Sequence, residues 1–461
     1  MEENERKEQT EDVEAFSEVS EEKEAKNASS GKIDWKKLQR RLIAGLLAVA
    51  VFGGGFAVGR LTLDPEMQSL IQLKNAIQKE YYLEVDDAQF YNVVFDAIND
   101  QLLDPYSQYM TADEYASQNA ASKGQQSGIG VTFLTKTDDG LDQMLVSRVS
   151  GNSPAEAAGL KEGDRIVAFG KSEGEMTESV VFNDFSAFLG GCETGEEFSL
   201  LLQAENGEQR TVTLSKQVYV ENYVFYRSND SAYRFVGAKA TELKEFGEPL
   251  TCLEEDTAYI RLTRFYGAAA TQFAGAMNVF REEGKKNLVL DLRGNGGGAL
   301  DIAQEISSYF CKNSDEKYPA AVIADYGEKI YTFKAKGNYY KDYFAEDSRI
   351  CILADSSSAS ASECLIGVMV DYGATAYGDI CLVERNGVAK TYGKGIMQTT
   401  YNLPGFRGDA VKLTTATIRW PVTRKSIHGV GVLPEDGALV VGETYKADGE
   451  ATAAVEALFA K

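Results

Sequence analysis

From residue 42 to residue 59 the chain reads LIAGLLAVAVFGGGFAVG, 18 residues without a charge. As a helix such a run spans about 27 Å, just enough for a hydrocarbon core. Gly53, Gly54 and Gly55 in its middle argue against an ordinary buried helix. Between Pro65 and about Tyr115 the apolar positions follow a helical period: Leu70, Leu73, Ile77 and Tyr81 recur at three- or four-residue steps, and FYNVVFDAINDQLL behaves likewise. Two packed helices are expected there, ended by Asp-Pro, with Thr111 as the cap of a short acidic turn. From about Gly124 the period changes to short alternating strands (GIGVTFLT, QMLVSRV, DRIVAFG, EFSLLLQA, QRTVTLSK). A helical turn starts among them at Ser153-Pro154, and a longer helix at NDFSAFLGG, which predicts a small, partly open barrel. Beyond about Val218 longer strands alternate with helices, the pattern of an α/β domain.

Charge and composition sharpen this outline. Residues 1–30 hold 11 acidic against 4 basic residues and little apolar surface, so a disordered acidic tail is expected over residues 1–41. Lys32, Lys36, Lys37, Arg40 and Arg41 precede the apolar run and only Arg60 follows closely. The positive-inside rule then keeps the tail cytoplasmic and places everything after residue 60 outside the cytoplasm, with a cleaved signal peptide as the alternative. A net charge of −23 disfavours nucleic acid as a partner. Six cysteines lie far apart with no CxxC pair, and a single histidine, His428, rules out a histidine-rich metal site.

Two turns carry candidate chemistry. LVLDLRGNGGGALDIAQEI is strand, glycine turn and helix; Gly294, Gly296 and Ala299 satisfy a G-x-G-x-x-A spacing, but a dinucleotide site fits poorly in an exported protein. The same turn offers backbone N–H groups to a negative oxygen. The second turn, ADSSSASASECLIGV, places small residues between an apolar strand, Ile350–Ala354, and a helix beginning near Glu363 with Leu365, Ile366, Met369 and Val370 on its apolar side. A serine there points out of a sharp turn at a helix start, where developing negative charge is favoured. It needs a base, and the histidine shortage narrows the choice, since a histidine-based triad would have to use His428. KTYGKGIMQ supplies Lys394, and a desolvated lysine can stay neutral enough to take a hydroxyl proton.

From about residue 65 to residue 437 the chain resembles the C-terminal processing peptidases, or tail-specific proteases, through LDPYSQYM, GIGV with SPAEAAGLKEGDRI, LDLRGNGGG, SASASE, TYGKGIMQ and SIHGVGVLPED. The resemblance implies a helical segment over residues 60–122, a PDZ domain over 123–217 and an α/β Ser-Lys protease domain over 218–461, behind an anchor at 42–59. It implies Ser360 as nucleophile, Lys394 as general base, Gln398 as the group orienting that lysine, and the amides of Gly297 and Ala361 as oxyanion donors. Ser127, Gly128, Ile129 and Gly130 would form the loop that receives the carboxylate of a protein C-terminus. Substrates with exposed apolar C-termini, no metal and no other cofactor follow, while the oligomeric state stays open, a homo-oligomer included. The rival expectation is an inactive, membrane-anchored PDZ adaptor.

Three departures from the family pattern support that rival. Gly296 stands where the family has proline, and Asp355 where it has asparagine, bringing a charge to the nucleophile turn. Extra residues around CLVERNGVAK lengthen the span from Glu363 to Lys394 and leave Lys390 as a competing base. His428, in the closing motif, is read as structural.

Overall fold

In the computed structural model, residues 64–134, 144–177, 181–242, 250–403, 407–443 and 447–459 are described. The expected tail and anchor lie outside them. Among the described residues no helix is long and apolar enough to cross a membrane.

The described residues divide into two compact units, 64–94 and 95–459. In the first, Asp64 caps helix α1 (Pro65–Glu80), its side chain accepting from the Glu66 N–H at 2.9 Å, with Pro65 at the first position. Asp87 at the start of α2 (Asp87–Gln101) ties it back to α1, accepting from Lys74 at 2.7 Å and Gln78 at 2.9 Å. Neither helix buries a residue, so this pair is joined by polar contacts rather than by the apolar face the periodicity suggested.

The second unit begins with a short strand, β1 (Gln108–Met110), and a helix, α3 (Ala112–Ser122). Thr111 and Glu114 close a reciprocal capping box at its start. β2 (Gln125–Gly128) then leads into a five-stranded antiparallel sheet, β3 (Val131–Leu134), β4 (Leu145–Val149), β5 (Arg165–Gly170), β6 (Glu197–Gln203) and β7 (Gln209–Ser215), ordered as in the chain. Helix α4 (Phe182–Gly191) lays Phe185 into its core against Ile129, Phe169, Phe198 and Leu200. Strand β8 (Gln217–Val220) returns to pair with β2.

The larger core is built on an eight-stranded sheet. β9 (Val224–Arg227), β10 (Ala232–Val236) and β11 (Lys239–Glu242) form an antiparallel meander at one side. β9 also pairs with β12 (Thr257–Leu262), after which β13 (Asn287–Asp291), β16 (Ile350–Asp355), β17 (Ile380–Val383) and β20 (Leu439–Val441) run parallel. Parallel neighbours need crossovers, supplied by α5 (Ala269–Glu282), α6 (Leu300–Ser307) and α7 (Ala361–Asp371). These pack Phe273, Met277, Ile306, Leu365 and Met369 onto one face, while α8 (Ala447–Phe459) covers the other with Ala451, Ala454 and Leu458. A smaller sheet places β14 (Ala320–Asp325) between β15 (Ile330–Lys334) and β19 (Ala410–Arg419); β1 and β18 (Ile396–Asn402) also pair with β19.

A sheet buried on both faces reads as continuous apolar sequence, and every residue of β16 is buried. The glycine and serine turns hang from the carboxyl ends of β13 and β16, the edge where open α/β sheets hold ligands. Below them a chain of ion pairs crosses the sheet. Arg293 bonds Asp291 at 2.6 Å and Glu450 of α8 at 2.7 Å; Arg385 also holds Glu450 and reaches Asp355 at 3.1 Å. Burial opposes the charge on Asp291, and the neighbouring Arg293 overrides it, holding the carboxyl at about 2. None of the six cysteines forms a disulfide.

Removing one member of a buried ion pair leaves the other charge stranded. Glu450→Ala is therefore expected to lower unfolding stability by about 3–5 kcal/mol, measured by urea denaturation of the purified protein. A loss under about 1 kcal/mol would show that the network is solvated rather than structural.

Candidate active site

Strand β16 ends at Asp355, and α7 starts at Ala361, earlier than the apolar pattern indicated and buried on all sides through Met369. Between them the serines turn sharply. Ser360 sits at φ +57°, ψ −111°, a left-handed conformation that a residue with a Cβ holds only when its surroundings impose it. The imposition comes from the glycine turn. Asn295, fully buried, accepts on its backbone oxygen from the Ala359 N–H at 3.0 Å and the Ser362 hydroxyl at 2.8 Å, and donates its amide to the Leu262 oxygen at 2.8 Å. Gly297, at φ +95°, presses so close that a Cβ there would meet the Ala359 oxygen at 2.7 Å and the Ala361 nitrogen at 2.9 Å. The structure thus brings Gly297, Ser360 and Ala361 together. The Gly297 N–H donates to the Asn295 Oδ1 at 2.9 Å, whereas the Ala361 N–H, first in its helix, has no intrahelical acceptor.

Glu363 joins this turn to the lysine segment. Its buried carboxylate accepts four bonds: Ser360 N–H at 2.9 Å and Lys394 N–H at 2.9 Å on Oε2, Thr391 hydroxyl at 2.6 Å and Gly393 N–H at 2.8 Å on Oε1. Burial raises its pKa, against the lowering effect of those four donors. Lys394 itself is braced from behind by the closing motif. Gly393 donates nothing else but accepts from the Gly429 N–H at 2.8 Å, and a Cβ on Gly395 would lie 2.6 Å from the His428 nitrogen. His428 contributes backbone here, and its side chain is exposed.

The Lys394 amine lies 5.0 Å from the centre of the Tyr106 ring, and no hydrogen bond among the described residues joins it to Ser360 or Gln398. Partial burial, then the nearby Lys412 charge, lowers its pKa, with Asp104 acting the other way. Tyr106 arrives through LDPYSQYM. Asp104 accepts from the Tyr106 N–H at 2.8 Å and the Ser107 N–H at 3.0 Å, and Ser107 accepts from the Thr414 N–H of β19 at 2.8 Å. What reads in sequence as a plain turn delivers an aromatic face to the lysine. A hydrogen bond with Tyr392, then burial, keeps the Tyr106 proton on up to about 12. Gln398 stands at a bulge where β18 shifts register against β19, its buried Nε2 without a partner among the described residues. Lys394 lines the cavity beside the serine turn together with Ser356, Ser357 and Ala359; Lys390 does not.

Two of the departures explain each other. Asp355 is buried rather than turned to solvent, and its partner Arg385 belongs to the added segment around CLVERNGVAK. Asp355 also accepts from the Gly294 N–H at 2.9 Å and the Ser357 N–H at 3.0 Å, so its charge binds both turns. Gly296 has open space around it and changes only backbone freedom.

On the barrel, Ser127, Gly128, Ile129 and Gly130 line a cleft of about 420 Å³ together with Phe182, Phe185 and Leu189. Ser127 and Gly128 belong to strand β2, paired with Val218 and Gln217, so only Ile129 and Gly130 are loop. β3 pairs with β4 alone, which leaves its other edge unpaired among the described residues.

Residues 256–436 match the family model described as peptidase family S41. Over that span the chain is similar to peptidase family S41. A probable CtpA-like serine protease of Staphylococcus saprophyticus is 28% identical over 402 residues, covering 86% of this chain and 70% of the relative. A carboxyl-terminal-processing protease of a Picosynechococcus species is 26% identical over 427 residues, covering 87% and 90%. The solved structure of a photosystem II D1 C-terminal processing protease is 22% identical, covers 81% of this chain and 86% of its own, and superposes with a TM-score of 0.44. The chain is a serine peptidase of the C-terminal processing type.

The sequence pattern pointed to Ser360 and Lys394 but left out Glu363, Asn295 and Tyr106. Glu363 did carry a signal, the three-residue capping-box spacing from Ser360. Glu363→Gln replaces two acceptor oxygens with one and turns a donor toward donors. A displacement of about 1 Å costs roughly 100-fold in rate, so kcat/KM for a peptide substrate is expected to fall by about that factor, measured by steady-state cleavage with the fold checked by circular dichroism. A variant within about threefold of the parent would show that the carboxylate positions neither turn.

Proposed function

We propose that this chain is a membrane-anchored endopeptidase that captures protein C-termini in the barrel cleft and cuts with a Ser360–Lys394 dyad. One observation carries the reading: the backbones of Ser360 and Lys394, 34 positions apart in the chain, donate to the same oxygen of a buried carboxylate. No other lysine is tied to the nucleophile turn in this way among the described residues.

Ser360 Oγ attacks the scissile carbonyl carbon while the neutral Lys394 amine takes the hydroxyl proton. To do so the amine swings from the Tyr106 ring toward Ser360, where the Gln398 amide oxygen accepts one of its N–H bonds and leaves the lone pair free. The tetrahedral oxygen is held by the Ala361 N–H and by the Gly297 N–H once substrate replaces its bond to Asn295. Lys394 returns the proton to the leaving amine, and water, deprotonated by the same amine, releases the acyl group. The exposed edge of β3 accepts the substrate tail as an added strand, with its terminal carboxylate at Ile129 and Gly130 and apolar side chains against Phe182 and Leu189. The anchor at residues 42–59 places this work outside the cytoplasm.

Ser360→Ala and Lys394→Ala are each expected to abolish cleavage of a protein with a loose apolar tail, followed by gel and mass spectrometry. An unmodified chain that cleaves no such tail would favour the adaptor. Because only the neutral amine works, kcat/KM rises with pH through the Lys394 pKa, below the ordinary 10.5. Lys412→Gln removes a like charge, raises that pKa and moves the rising limb to higher pH. An unmoved limb would mean that another group sets the profile.

A further inference from the structure

A cavity of about 1230 Å³ runs from the nucleophile turn to the barrel, and its wall is rich in arginine although the chain as a whole is strongly acidic. Six arginines line it, and four of them, Arg165 included, are engaged elsewhere. Arg293 and Arg385 belong to the ion network beneath the turns, and Arg148 is paired with Glu221. Arg261 and Arg264 differ. Neither has an ion pair with any described residue, and the Arg261 Nε is closed off from water with nothing to donate to. Arg264 spends one nitrogen on backbone oxygens alone, those of Thr263 at 2.8 Å and of Gly294.

The placement of the two is informative. Arg261 alternates with Ile260 and Leu262 on β12, so it leaves the core face and faces the α8 side of the sheet. Arg264 follows the end of the same strand, and its bond to Gly294 seats it on the glycine turn that shapes the nucleophile. Burial opposes the charge on Arg261, but Glu162 on the same wall and Asp291 act on it through space and raise its pKa, so it stays a cation without a direct ion-pair partner. Burial, then the adjacent Arg148 charge, depresses the Arg264 pKa, as for a cation short of a counter-charge. A guanidinium left without an anion in a partly dry cavity is costly, and its planar fork suits a carboxylate.

We propose that Arg261 and Arg264 form a carboxylate subsite that makes this peptidase prefer substrates with an acidic group close to the scissile bond. The inference rests on the peptidase reading and adds a substrate class to it. The carboxylate has two sources, an Asp or Glu side chain or the chain terminus itself.

The test uses the full chain and a peptide series in which a single Asp or Asn is walked through every position on both sides of the cut, each peptide made with a free and an amidated C-terminus. The Asp-to-Asn ratio of kcat/KM is expected to exceed about tenfold at one position, the scale of one charge-assisted hydrogen bond. A free-to-amide ratio of that size with no Asp preference would assign the subsite to the chain terminus instead. In Arg264→Gln the ratio falls toward one, and in Arg264→Lys, which keeps charge without the fork, it is intermediate. A parent ratio near one at all positions and termini, or a ratio unchanged in Arg264→Gln, overturns the proposal. If the parent cuts no peptide, the peptidase reading fails by itself, and the same Asp and Asn pairs titrated onto Ser360→Ala protein by calorimetry still decide whether the carboxylate binds.

Discussion

The site depends on one buried carboxylate. Glu363 takes hydrogen bonds from the backbone at Ser360, Gly393 and Lys394 and from the Thr391 hydroxyl, so a helix start and a strand entry remote in sequence are fixed to a common point. Such a group is expensive to bury, and its raised pKa records the expense. Four donors offset it. The left-handed backbone of Ser360 is maintained by the same bonds, because its N–H is turned to the carboxylate rather than to solvent.

Around that point the glycine turn acts as a mould. Asn295 touches the serine turn through its backbone oxygen, and Gly297 presses so close to it that this position tolerates no side chain. Asp355 then draws both turns onto Arg385, and Arg385 passes the charge to Glu450. An aspartate introduced without Arg385 would be a buried, uncompensated anion beside the nucleophile. The added segment that supplies the arginine therefore makes physical sense of the aspartate, and the two departures that seemed to weaken the site strengthen its frame.

Much of this was legible in the residues, and what was missed shares a cause. Periodicity located the buried strand before the serine turn, and small residues with a helix start singled out that turn, because those signals are local; the choice of Ser360 within it came from the family resemblance. Lys394 came from the same kind of reading, a lysine between glycines. Glu363, Tyr106 and the Arg385–Asp355 pair act across 30 residues or more, and nothing in the spacing of a single chain announces such contacts. The strand character of Ser127 and Gly128 was hidden likewise, since their partner β8 lies some 90 positions on. The burial of α7 on every side misled the placement of its first turn, because an all-round apolar helix has no polar face to mark where it begins.

Helix α8 is last of the described elements in chain order, yet its Glu450 is shared by Arg293 and Arg385. A chain emerging from the ribosome therefore has its serine turn, its lysine and both arginines before it has the acid that bridges them. The frame can lock only when synthesis has passed that residue, so translation order itself delays the hydrolase from becoming a finished cutting tool.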